Sequence, residues 1–169
     1  MIVRVDPDPS FFTPEYLEWV EKAAIENLRG RLATGELLLT QSNQLLSLLM
    51  VGIAGSLAYG AKIFGKDPGP LEWGAAATSA WLSACAIVLT FKCIATRATQ
   101  VLYNEPRNLL VPGISLPAAR FWEAQHIQSR IELTKTRNAG VAQWLDRCRY
   151  AVALTPVAFS TGALLLPLT

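Results

Sequence analysis

The charged residues of this chain leave three gaps. Leu37–Ala61, Trp73–Phe91 and Tyr150–Thr169 contain no Asp, Glu, Lys, Arg or His over 25, 19 and 20 residues. About 20 mostly apolar residues in an α-helix cross a hydrocarbon core of roughly 30 Å. Inside that core every backbone group needs an internal partner, which favours helices. The pattern therefore predicts an all-α integral membrane helical protein, with three transmembrane helices and long cytoplasmic helical extensions. Four segments follow: a cytoplasmic amphipathic helix over 1–43, a transmembrane hairpin over 44–92 with spans at about 45–64 and 71–92, a cytoplasmic helical region over 93–148, and a third transmembrane helix over 149–169. The competing reading is a soluble α-protein with very apolar core helices. It fits less well, because buried core helices rarely run past about 14 residues without a charge.

The first helix carries its own start signals. Thr13 suits the N-cap, Pro14 the first helical position, and Phe12 and Leu17 the two ends of a hydrophobic staple. Tyr16, Leu17, Val20, Ala23, Ala24 and Leu28 form its apolar face, against Glu15, Glu18, Glu21, Lys22 and Glu26. An acidic face favours a protein partner over anionic lipid. Gly30 and Gly35 weaken this helix without forbidding its continuation. Lys66–Pro70 should break the chain between the first two spans. No proline interrupts Leu71 to about Asn104, so the second helix is expected to run that far, its last third in water. Residues 105–117 read as a connector. From Ala118 to Thr155 a further helix is expected, with Asn138 and Gly140 its likeliest interruption, and Pro156 should bend the third span.

Composition agrees with a membrane chain. The charged fraction is 17%, below the roughly 25% usual for soluble domains, and the mean hydropathy is +0.29. The net charge of +2 conceals an asymmetry: residues 1–43 carry −3 and residues 92–149 carry +5. Lysine and arginine near span ends mark the cytoplasmic side, which places 92–149 and the amino terminus in the cytoplasm and the carboxyl terminus outside, in a bacterial inner membrane. Lys62 and Lys66 dissent, though both can snorkel. Residues 1–12 lack the pattern of a secretory signal, so the first span is expected to act as the insertion signal.

Candidate chemistry is sparse. Gly52, Ser56 and Gly60 recur every four residues in the first span, and Ala76, Ala80 and Ala84 do so in the second. Small residues at this spacing let helices approach closely, either within one chain or between copies. Gln41, Asn43 and Gln44 form a polar collar at the start of the first span; they lie at headgroup level or line a pore. On the cytoplasmic helices Trp19 and Trp122 are candidate anchors for a partner. Glu123, His126 and Arg130 share one helix side, as a small contact site or simply a solvated face. The three cysteines have no CxxC spacing, so neither a metal site nor a disulfide framework is expected. Cys93 and Cys148 fall near membrane borders, where palmitoylation or an ordinary buried thiol would fit. No cofactor is expected, no nucleotide-binding loop is present, and nothing supports catalysis, so the chain is not expected to be an enzyme. The basic middle segment is explained by cytoplasmic retention, and nucleic acid is not an expected partner.

A transmembrane hairpin joined to cytoplasmic helices resembles the layout of small bacterial membrane effectors of antiphage or toxin systems. That resemblance, with the small-residue faces, implies a self-associating protein that forms a pore or perturbs the bilayer while its cytoplasmic helices sense something. Membrane lipid and further copies of the chain are then the partners. The other expectation is a non-catalytic subunit of a larger membrane complex, docked through the cytoplasmic helices.

Overall fold

The computed structural model describes residues 11–61, 69–95, 101–110 and 112–165. Every regular element among them is helical: α1 (Pro14–Gly60), α2 (Pro70–Leu89), a π turn (Thr90–Ile94), α3 (Pro106–Leu109), α4 (Leu116–Ala153) and α5 (Thr155–Leu165). Two helical stretches, Pro14–Gly60 and Pro70–Ile94, are long and apolar enough to cross a membrane. The chain divides into two compact units, one from 1–35 with 98–138, the other from 36–97 with 139–169. The long helices α1 and α4 each contribute residues to both.

In the first unit α1 starts as its sequence demands. The Tyr16 N–H donates to the Thr13 hydroxyl at 3.3 Å, and Phe12 stacks on Tyr16 and on Phe121. Of the expected apolar face, Leu17 and Leu28 are buried, while Tyr16 and Ala23 stay exposed. Leu28 closes on Ile127 and Ile131 of α4, with Ala24, Ile25 and Leu32 around them. Contacts pair rising residue numbers on both helices, so these parts of α1 and α4 run parallel.

The expected interruption at Asn138 and Gly140 is absent, and α4 runs unbroken from Leu116 to Ala153. Asparagine breaks helices by bonding its own backbone. Here the Asn138 Nδ2 donates instead to the Arg31 carbonyl of α1, at 2.7 Å. Gly35 gives that amide room: a Cβ there would stand 3.1 Å from Asn138 Oδ1.

The second unit is built on α2. Leu49, Leu82, Cys85, Ala86, Leu89, Leu145 and Cys148 form its core. Gly52 of α1 faces Leu82, and Gly60 faces Ala76, so α1 and α2 are antiparallel. The Phe159 ring lies on Gly74, and Gly162 lies on Trp73, Gly74 and Ala77; with Ala151 bonded by Trp81 at the other end, the path from the end of α4 through α5 runs antiparallel to α2.

One expectation needs correcting here. The second helix does not continue to Asn104; it ends in the π turn, closed by the Ala95 N–H to Thr90 carbonyl bond at 2.7 Å, after which Ala95 turns to an extended ψ of 130°. Side chains of this turn are held by α4: Lys92 stands over Trp144 and the Cys93 thiol lies 3.8 Å from the Val141 carbonyl. These contacts with α4 fix the turn over Thr90–Ile94.

The third apolar segment bends where Pro156 is expected to bend it. It breaks at Leu154, and α5 is 11 residues long. Pro156 has no N–H for the Val152 carbonyl. The Thr155 hydroxyl donates to that carbonyl at 2.6 Å, and the Trp81 indole donates to the adjacent Ala151 carbonyl at 3.0 Å. Two carbonyls at the bend thus take side-chain donors from within the chain. Of the first span as expected, residues beyond Ala61 fall outside the described residues, as does most of the Lys66–Pro70 break.

Candidate functional site

Two surfaces carry the distinctive chemistry, one in each unit. The first is the exterior of the second unit. A core helix in a soluble protein would bury its most apolar stretch. In α1 only 11% of that stretch is buried. Leu48 and Val51 are 70% and 72% exposed, and Leu57, Ile87, Phe91, Val157 and Leu164 are exposed on the other helices and on α1. Hydroxyls on this surface are spent on their own helices, Ser47 on Asn43, Thr161 on Val157 and Ser160 on Pro156. No buried side-chain polar atom among the described residues lacks a hydrogen-bond partner.

The small residues separate into two groups on this unit. Gly52 and Gly60 are used inside the chain: a Cβ on Gly52 would come within 2.8 Å of the Leu82 side chain, and Gly60 lies against Ala76. Ser56 is half-buried, with its hydroxyl on the Ile53 carbonyl. Ala80 and Ala84 are instead exposed. They line an open apolar groove of about 560 Å³ between α2 and α5, together with Ala77, Trp81, Ala158 and Gly162.

Charges of this unit gather where its apolar stretches begin and end. Lys92 and Arg147 both stand over the Trp144 ring, 5.3 and 4.7 Å from its centroid. Arg149 reaches Asp146 at 3.1 Å and the Gln41 side chain at 3.0 Å. Gln41 thus belongs to this charged end, whereas Asn43 and Gln44 are exposed on α1.

The other surface is a cleft of about 540 Å³ in the first unit, where α1, α4 and the segment around α3 meet. Glu123 and Arg130, about two turns apart on α4, form an ion pair of 3.4 Å with both side chains largely buried. Asn104 donates to Glu123 at 3.3 Å, and Arg130 donates to the Leu102 carbonyl at 3.5 Å, so this pair straps the 101–110 segment onto α4. His126 and Trp122 are exposed on the cleft wall. Arg120 spans Glu18 at 3.1 Å and Glu21 at 3.6 Å. The Lys22 ammonium, and next to it the Arg120 guanidinium, hold the Glu18 carboxyl below the usual carboxylate range. Trp19 is 63% exposed and tilts against Tyr16, leaving an aromatic face turned outward. Among the described residues no three His, Cys, Asp or Glu side chains gather closely enough to hold a metal ion.

Sequence reasoning missed Gly74, Gly162 and Trp81. Gly74 and Gly162 mark the close approach of α2 and α5, and Trp81 closes the bend before α5. Their only sequence signal is small size or an indole within an apolar run, which does not name a partner helix. Comparison with protein-family models, curated proteins and solved structures finds no match to this chain.

Proposed function

We propose that the chain is a self-associating integral membrane protein that acts on the bilayer, as a pore or by perturbing it, while its first unit senses a signal on the cytoplasmic side. The observation that carries this reading is the exterior of the second unit, where large aliphatic side chains are exposed along charge-free helices. Aliphatic surface on that scale is costly in water and costless against acyl chains. In this reading three passes cross the membrane: α1, α2, and the end of α4 with α5, the last bent at Leu154. The antiparallel order of α1 with α2, and of α2 with the path from the end of α4 through α5, supports such an up-down-up path. Lys92, Arg147 and Arg149 at one end of the unit favour a cytoplasmic position for that end.

Self-association is assigned to Ala80 and Ala84 rather than to Gly52 and Gly60, which are already occupied within the chain. Close approach of helices over small residues is a principal mode of association in lipid. Ala80→Leu with Ala84→Leu is expected to shift the detergent-extracted particle to the mass of one chain, read by light scattering. Gly52→Leu is expected to lower the unfolding temperature by forcing Leu82 aside. An Ala80→Leu, Ala84→Leu variant of unchanged mass would reject this interface.

One observation favours a second reading, a structural subunit of a larger complex. Trp19, Tyr16 and Trp122 expose aromatic surface on the first unit, and aromatic residues of this kind anchor protein interfaces. Purification from the native membrane separates the readings: identical chains alone support the first, and a constant set of unlike chains supports the second.

A further inference from the structure

The charged end of the second unit holds an arrangement that self-association does not use. Lys92, from the π turn after α2, and Arg147, from α4, converge on one tryptophan. With distances of 5.3 and 4.7 Å to the same ring centroid, the two cations lie within about 10 Å of each other. Like charges so placed repel over roughly a Debye length. Among the described residues neither is in an ion pair. Asp146, beside Arg147 in sequence, is taken by Arg149. Cation–π attraction draws each cation to the ring, and both remain exposed. The position is also particular. Lys92 directly follows the charge-free stretch ending at Phe91, and Arg147 and Arg149 directly precede the one beginning at Tyr150. Tryptophan prefers the same headgroup level in membrane proteins, and π turns recur at functional sites.

We propose that Lys92 and Arg147, gathered on Trp144, bind the headgroup phosphate of an anionic phospholipid of the phosphatidylglycerol class. This rests on the membrane reading above. The lipid's phosphate relieves the repulsion between the two cations, and its acyl chains continue along the apolar exterior. A basic pocket between membrane helices at the cytoplasmic face is a recurring site for such lipids.

The test uses the full chain in a neutral maltoside detergent, with thermal unfolding followed by circular dichroism. Short-chain phosphatidylglycerol is expected to raise the unfolding temperature by several degrees, while short-chain phosphatidylcholine and inorganic phosphate leave it unchanged. Lys92→Gln with Arg147→Gln is expected to weaken the phosphatidylglycerol effect roughly 30-fold in concentration, and Lys92→Arg with Arg147→Lys to keep it. Equal shifts with both lipids, a shift with phosphate alone, or an undiminished shift in the glutamine variant each overturn the proposal. If the glutamine variant does not fold, the wild-type contrast between the two lipids and the charge-retaining variant decide it. The same preparation reports the membrane reading separately: wild-type chain that pellets with membranes yet ignores phosphatidylglycerol overturns the lipid site alone, and chain soluble without detergent overturns both.

Discussion

Gly162→Leu is expected to unseat α5 from α2 and to produce the largest loss of stability of any single substitution among the described glycines. A Cβ at Gly162 would meet the Ala77 Cβ, stand 2.9 Å from the Trp73 carbonyl oxygen and 3.3 Å from the Gly74 Cα. Two of these three are backbone atoms of a helix, which cannot rotate away as a flexible side chain can. Overfilled contacts commonly cost about 1–3 kcal/mol, and this site belongs at about 3 kcal/mol because nothing nearby yields. Gly162→Ala should already reproduce much of the effect. Gly55→Ala is the control: nothing lies within 4 Å of its Cβ position, and relief of glycine's helix penalty should leave stability unchanged or raised by up to about 1 kcal/mol. Unfolding in detergent, followed by circular dichroism, ranks the three. A Gly162→Leu protein as stable as Gly55→Ala would mean that α5 does not lie on α2.

The second large effect is expected at Arg130 in the first unit. Arg130→Ala removes the guanidinium paired with Glu123 while Glu123 stays largely buried. A carboxylate left without its cation in such a place costs about 3–5 kcal/mol. The lower figure applies, because Asn104 still donates to Glu123 and both side chains retain some contact with solvent. Loss of the Arg130 bond to the Leu102 carbonyl also frees the 101–110 segment. Arg130→Met combined with Glu123→Leu should recover most of the loss, since no buried charge remains. Denaturant unfolding gives the comparison, and hydrogen exchange over residues 101–110 should rise in the single variant. Equal losses in single and double variants would place the cost in side-chain contacts rather than charge.

These effects mark the boundary of what the residues disclose before folding. The start of α1 was legible because every signal is local: Thr13, Pro14, Phe12 and Leu17 act within one or two turns. The apolar stretches were legible for the same reason, since absence of charge is a property of each window. The bend before α5 followed from Pro156 alone. Asn138 misled because its amide bonds a carbonyl 107 positions away, and a polar side chain's choice between its own helix and another is not a local property. The end of α2 misled because the π turn is secured by α4 through Lys92 and Cys93.

The candidate sites divide along the same line. The period of Gly52, Ser56 and Gly60 announced a close helix contact but not its partner; Leu82 and Ala76 supply it within the chain. Glu123 and Arg130, singled out as sharing a helix side, do meet, whereas His126 beside them stays exposed. The cleft they border includes Asn104 and Arg120, drawn in by chain topology that spacing along α4 does not encode. Gly74 and Gly162 were hidden because small residues within an apolar run do not name the helix they pack on. Their meaning lies in the rotation of α5 on α2.

The claim on which the rest depends is that acyl chains surround the exterior of the second unit. Sedimentation of membranes from expressing cells after washing at alkaline carbonate tests it most directly. The expected result is full-length chain in the pellet, released only by detergent. Chain released into the supernatant by the wash, and monodisperse there without detergent, would contradict it.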